Sequence, residues 1–150
     1  MNTNYEYTTV ACWTSGRGGI MKAESIEQPI KFSSPPEFLG QSGVWTPEHF
    51  LVAAVAGCFV STFAAMAEMS KLELQSFEVS ATGSLEKIEG GLRFNRMIIR
   101  PEVVVYRDAD RARALRLLEK AEHSCLIARS LRSEIVLEPE VLVQTPVSAT

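Results

Sequence analysis

The chain has 150 residues, of which 46% are hydrophobic and 22% charged, and a formal net charge of -3. Such a chain fits one ordinary domain with a real core, which excludes a disordered polymer. No basic run or face stands out, so the charge pattern gives no reason to expect nucleic acid.

The opening stretch MNTNYEYTTV has neither a basic start nor an apolar run, and does not read as a secretory signal. Short strands follow: YTTVACW, then GIMKAE after the turn TSGRGG, then IKFS. SPPEFLGQSGVW, with its prolines and glycines, reads as a loop. Thr46 then makes a helix N-cap, with Pro47 at the first helical position and Glu48 in the first turn. The helix runs to about Ser70 and carries no charge from Phe50 to Ala67. It is apolar all round, which predicts burial on every side by a second helix, a sheet and another subunit. Its length reaches the ~18–20 residues of a membrane span. Ala53, Ala54, Ala56, Gly57, Ser61 and Thr62 dilute it, however, and no basic flank orients it, so it reads as a core helix.

FEVSATGSL alternates cleanly, with Phe77, Val79, Ala81 and Leu85 on one face and Glu78, Ser80, Thr82 and Ser84 on the other. EGG turns the chain back into LRFNRMIIRPEVVVY, whose apolar parity shifts between Phe94 and Met97 and predicts a bulge. DADRARALRLLEKAEH is an amphipathic helix with Ala112, Leu115, Leu118 and Ala121 on its apolar stripe. A short segment SCLIARSL precedes a closing strand, SEIVLEPEV, with Ile135, Leu137 and Val141 on one side. The order predicts an α+β fold in one domain over residues 1–150. Its strands lie at about 5–32, its central helix at about 47–70, further strands at about 75–106, helices at about 108–131 and a last strand at about 133–143.

The cysteines Cys12, Cys58 and Cys125 are an odd set at wide spacing, which suits the reducing cytoplasm better than a secreted disulfide framework. A free cysteine such as Cys58 commonly serves as small apolar filler. Cys125, however, opens the apparent helix CLIARSL, where unpaired N–H groups lend a thiol thiolate character. Glu48 stands at a helix start beside apolar sequence, and Arg17 projects from a glycine-bounded turn, SGRGG. Each also has a plainer reading, as helix-dipole complement, solvated turn residue or cap. Phe50, Phe59, Phe63 and Met66 read as core ahead of a substrate passage, and Cys12 beside Trp13 reads as packing. A metal module built from Cys58, Cys125, His49 and His123 lacks zinc-type C-x-x-C spacing.

TPEHFLVAAVAGCF, with Glu48 ten residues before Cys58, resembles the signature of the OsmC/Ohr family of thiol-dependent organic hydroperoxide reductases. AEHSCLIARSL resembles the family's second-cysteine motif, and TSGRGGIMKAES is similar to its arginine-bearing turn; the resemblance runs from about Thr8 to Val143. It implies an OsmC-like fold, βββ-α-ββ-αα-β, with antiparallel sheets packed around a long central buried helix in an intertwined homodimer. It further implies that Cys58 is the peroxidatic cysteine and Cys125 the resolving one, with Arg17 and Glu48 organising the site. A hydroperoxide would be the substrate and an external dithiol, often a lipoylated protein, the reductant. No metal, bound organic cofactor, nucleic acid or membrane is implied. A non-catalytic redox-sensing or structural dimer of the same fold is the alternative. Ten helical residues separate Glu48 from Cys58 by ~15 Å, so either Glu48 folds back on a loop or another chain completes the site. The residue after Cys125 is Leu126, where the family commonly has proline.

Overall fold

Tight turns between short strands shape the N-terminal region into an antiparallel meander. Strands β1 (Thr9–Ser15), β2 (Gly18–Ala23) and β3 (Ile26–Ser33) pair in that order. Gly16 takes φ +54° in the first turn, a left-handed conformation that glycine adopts without steric cost. A Cβ on Gly19 would collide with the Cys12 carbonyl, so β1 and β2 approach closely because that residue has no side chain. Regular pairing begins at Thr9, which leaves Tyr5 and Tyr7 before the first strand and exposed. The computed structural model, which describes residues 3–144, divides into two compact units, Met1–Leu51 and Val52–Thr150.

Helix α1 (Pro47–Met69) starts in the first unit and continues through the second without interruption. The Thr46 Oγ1 accepts the His49 backbone N–H at 3.0 Å, the expected N-cap. Burial on every side is not what this chain provides. Its buried residues are one stripe, Val55, Phe59, Phe63 and Ala67, spaced four apart, because a helix lying on a single sheet has one face covered. By length and composition alone, α1 is apolar enough to cross a membrane.

In the second unit, β4 (Leu74–Ile88) and β5 (Gly91–Val105) form a long antiparallel hairpin. The predicted bulge is present: Ser84 pairs with Arg96 and Leu85 with Phe94, leaving Asn95 as the extra residue. Phe63 of α1 meets Phe77 of β4 with ring centroids 4.6 Å apart. Gly83 leaves room for the Phe94 ring and the Val52 side chain, each 2.9 Å from where a Cβ would stand.

Helices α2 (Arg111–Ser124) and α3 (Leu126–Arg129) lead into β6 (Glu134–Leu137) and β7 (Glu140–Val143). The closing segment is thus two strands and not one. The break falls at Glu138–Pro139, where proline has no N–H to continue a ladder. Both strands run parallel to β5, so this sheet is mixed and not wholly antiparallel. The helix pair is the crossover that a parallel return needs. The buried stripe of α2 is Ala114, Leu118 and Ala121, while Ala112 and Leu115 are exposed. Asp110 fixes that rotation: it is buried and ion-paired at 3.2 Å to both Arg107 and Arg113, and Arg113 also donates to the Ser70 carbonyl at the end of α1.

Candidate active site

Cys58 sits midway along α1, directly before the fully buried Phe59. It is half-buried, with its Sγ 3.9 Å from the Thr62 hydroxyl one helical turn on. Cys125 is fully buried at the junction of α2 and α3, where its extended backbone (φ -69°, ψ 107°) ends one helix and caps the next. This junction brings the two thiols of the second unit near enough for each to shift the other's titration. Both are reduced.

Their environments push the two thiols apart. Burial raises Cys58, but the Ile127 N–H, the Cys125 thiol, the Thr62 hydroxyl and the Leu126 N–H all donate towards its sulfur, and together they bring it below the ordinary thiol value. Burial also raises Cys125; the Ala128 and Ile127 N–H groups oppose this, but the hydrogen bond and the charge on Cys58 add to it, and Cys125 ends above the ordinary value. Cys58 therefore takes the thiolate form first while Cys125 keeps its proton. The thiolate character that the helix start was expected to lend Cys125 is outweighed by its burial and by Cys58. Cys125 is the fully buried cap residue itself, while Leu126 and Ile127 of the same turn turn donors towards Cys58.

Arg17 and Glu48 belong to the first unit. The Arg17 guanidinium donates through NH1 to the Phe38 carbonyl at 2.9 Å, and its own carbonyl accepts the Ser34 N–H. It lines a cleft of about 280 Å³ with Lys31, Ser33 and Gln41. Among the described residues no ion pair joins Arg17 to Glu48, which stays in the first turn of α1 and not on a loop folding back.

Phe59 and Phe63 are core, as expected, whereas Phe50 and Met66 are only half-buried. Cys12 is exposed on β1, so it does no packing within the chain. No group of three or more His, Cys, Asp or Glu among the described residues is arranged to hold a metal ion, and the metal-module reading finds no donor set there. The groups missed from sequence are Thr62 and the N–H groups of Leu126 and Ile127. A hydroxyl residue four positions after a helical cysteine was the available signal for Thr62.

The family model described as OsmC-like protein matches residues 40–140. An uncharacterized protein, YmaD, of Bacillus subtilis is 31% identical over 144 residues, covering 94% of this chain and 96% of that protein. The organic hydroperoxide resistance protein of Xanthomonas axonopodis pv. citri is 31% identical over 132 residues, covering 86% and 89%. A solved OsmC-like protein of unknown function from Vibrio cholerae superposes with a TM-score of 0.83 at 21% identity, over 91% of this chain and 99% of that one, and shares the fold. With two cysteines poised on its central helix and helix junction, this chain belongs to the OsmC family, known for organic hydroperoxide resistance and peroxiredoxin function.

Proposed function

We propose that the protein is a cysteine-based peroxidase that reduces organic hydroperoxides to alcohols. The observation that carries this reading is a pair of thiols, on α1 and at the α2–α3 junction, that shift in opposite directions, one towards thiolate and the other towards thiol, each partly because of the other. Only the thiolate is a competent nucleophile.

The Cys58 thiolate attacks the terminal oxygen of the hydroperoxide. The O–O bond breaks, and the leaving alkoxide takes a proton to become the alcohol while Cys58 becomes a sulfenic acid. Cys125 then attacks that sulfur as its own proton leaves, hydroxide departs as water, and a Cys58–Cys125 disulfide forms. Capture of the sulfenic acid protects Cys58 from further oxidation. An external dithiol, with a lipoylated protein the family precedent, restores both thiols by exchange. The influence of each thiol on the other supports a local second step, in which Cys125 reaches the Cys58 sulfur without a large rearrangement.

Arg17 and Glu48 are assigned the organising role by resemblance, with the guanidinium stabilising charge on the peroxide oxygens. Glu48 lies on the same unbroken helix as Cys58, which favours a homodimer in which the site is completed from a second copy. The exposed apolar residues of β1 and β3, Val10, Trp13, Ile26 and Ile30, favour the same assembly. The wide, odd cysteine set is in keeping with a cytoplasmic setting. The hydroperoxide substrate is supported by the name of the Xanthomonas relative.

Single-turnover oxidation of the reduced protein by cumene hydroperoxide tests the reading. Wild type should lose both thiols of the pair, Cys125→Ser should stop at a sulfenic or over-oxidised Cys58, and Cys58→Ser should not react. Multiple turnovers with a dithiol separate an enzyme from a sensor that oxidises once. Thiols untouched by peroxide would leave the family fold without its chemistry.

A further inference from the structure

A second built feature lies in the first unit, at the entrance to α1. The segment carrying Trp45 is tied to β3: its carbonyl accepts the Ser33 N–H at 2.9 Å, and Trp45 bridges Phe32. Thr46 follows and is 2% exposed. Its hydroxyl oxygen accepts the His49 backbone N–H and lies 2.9 Å from the His49 Nδ1.

A threonine hydroxyl has one proton to give. It also has two lone pairs, of which the backbone N–H engages one, so the hydroxyl and Nδ1 share a hydrogen bond whose proton either of them can supply. Nδ1 is engaged by that bond, and Nε2, at the other edge of the ring, is the nitrogen left for a ligand. Trp45 packs edge-to-face on the same imidazole at 5.9 Å and stacks on Phe50 at 6.0 Å, so the ring is held from two sides.

Beside it lies a cleft of about 280 Å³ lined by Gly43, Val44, Trp45 and His49. Gly43, at φ +82°, has nothing within 4 Å of where a Cβ would stand, which leaves the floor open. The walls are an indole and an isopropyl group, and no carboxylate lines the cleft. The volume sits near the low end of the ~300–1,000 Å³ typical of small-molecule sites. An apolar surface with one outward imidazole nitrogen suits a ligand that is apolar along its body and makes a hydrogen bond at its end.

We propose that this cleft binds a small apolar carboxylate, its body against Trp45 and Val44 and its carboxylate accepting the Nε2–H of His49. The cleft belongs to the first unit, and the proposal stands whether or not the peroxidase reading does.

Benzoate is the probe, titrated into the full-length reduced protein and followed by ¹H–¹⁵N spectra of the indole and imidazole nitrogens. The Trp45 Nε1–H and the His49 ring nitrogens should shift on one isotherm. His49→Phe keeps an aromatic ring against Trp45 and loses the donor, and should weaken benzoate by about ten- to a hundredfold, the worth of one hydrogen bond to a charged group. His49→Gln, which returns an N–H donor, should recover most of the affinity. Equal affinity in His49→Phe, or no shift at Trp45 and His49 at high benzoate, overturns the proposal.

Discussion

In the second unit the largest apolar side chains are removed from solvent: Phe59, Phe63, Met97, Ile99, Val103 and Leu118 are all fully buried. In the first unit the comparable residues stand out in it, with Trp13 76% exposed, Ile26 64% and Val10 54%. Both units are built from strands of the same kind, so composition is not the difference. The second has a helix laid over its sheet and satisfies its own alternation, whereas every residue of β1 is exposed. A strand exposed along its whole length, with apolar side chains on it, is the kind of surface on which a partner sits.

The chemistry is assigned to the self-sufficient unit, and the largest expected effect tests that assignment. Cys58→Ser changes one atom at a half-buried position and should leave the unfolding transition within about 1 kcal/mol of wild type. Turnover of cumene hydroperoxide should fall by about a thousandfold or more, as when a covalent nucleophile is removed. Activity surviving in Cys58→Ser would take the reaction away from this thiol altogether.

Packing is the next contrast. Phe63→Ala removes a fully buried ring in contact with Phe77 and should cost about 3–5 kcal/mol in denaturant unfolding. Val10→Ala removes exposed methyl groups and should cost less than about 0.5 kcal/mol if β1 stays in solvent. A larger Val10 cost that grows with protein concentration would show instead that a second copy covers β1, since association stabilises by mass action. The pair of variants therefore decides whether the uncovered meander is a monomer's surface or half of an interface.

The Cys58 site offers a smaller and finer test. Leu126 is 65% exposed, so its side chain does little packing, but its backbone N–H is one of the donors towards the Cys58 sulfur. Proline there has no N–H. Leu126→Pro should raise the Cys58 thiol and slow its alkylation by iodoacetamide at neutral pH by about two- to tenfold, the range of one modest hydrogen bond. An unchanged alkylation rate would mean that Ile127, Thr62 and Cys125 hold the thiolate without help.

Which of these features could be read from the sequence follows from the range over which each is decided. The hairpin of β4 and β5 was legible down to the bulge at Asn95, because period-two alternation and its break are local. The Thr46 cap was legible for the same reason. The exposed side of α1 was not: a helix apolar all round carries no moment to say which stripe faces the sheet, and only the contacts select Val55, Phe59, Phe63 and Ala67. The parallel return of β6 and β7 depends on register with a strand far away in the chain. At the site, both cysteines were visible as motif residues. Which of them would be the more acidic was not, because it rests on N–H groups of residues 126 and 127 that point at a sulfur from elsewhere in the chain.

The opposed thiols also leave a small mark on stability. Cys58 is lowered by folding, so its contribution is present above the ordinary thiol value and is lost as pH falls through its folded value. Cys125 is raised, so its contribution is present below the ordinary thiol value and is lost as pH rises through its own, higher one. The sum is greatest near the ordinary thiol value, ~8.5, and declines on both sides. Urea unfolding of the reduced protein at a series of pH values should therefore show a shallow maximum there, referred to the Cys58→Ser, Cys125→Ser double variant, which lacks both titrations. Cys58→Ser should remove the loss on the acid side and shrink the alkaline one, because Cys58 is part of what raises Cys125. Cys125→Ser should remove the loss on the alkaline side and shrink the acid one, because Cys125 is part of what lowers Cys58. A difference curve that is flat, or that slopes the other way, would mean the two thiols do not titrate apart, and the division of labour between them would have to be rebuilt.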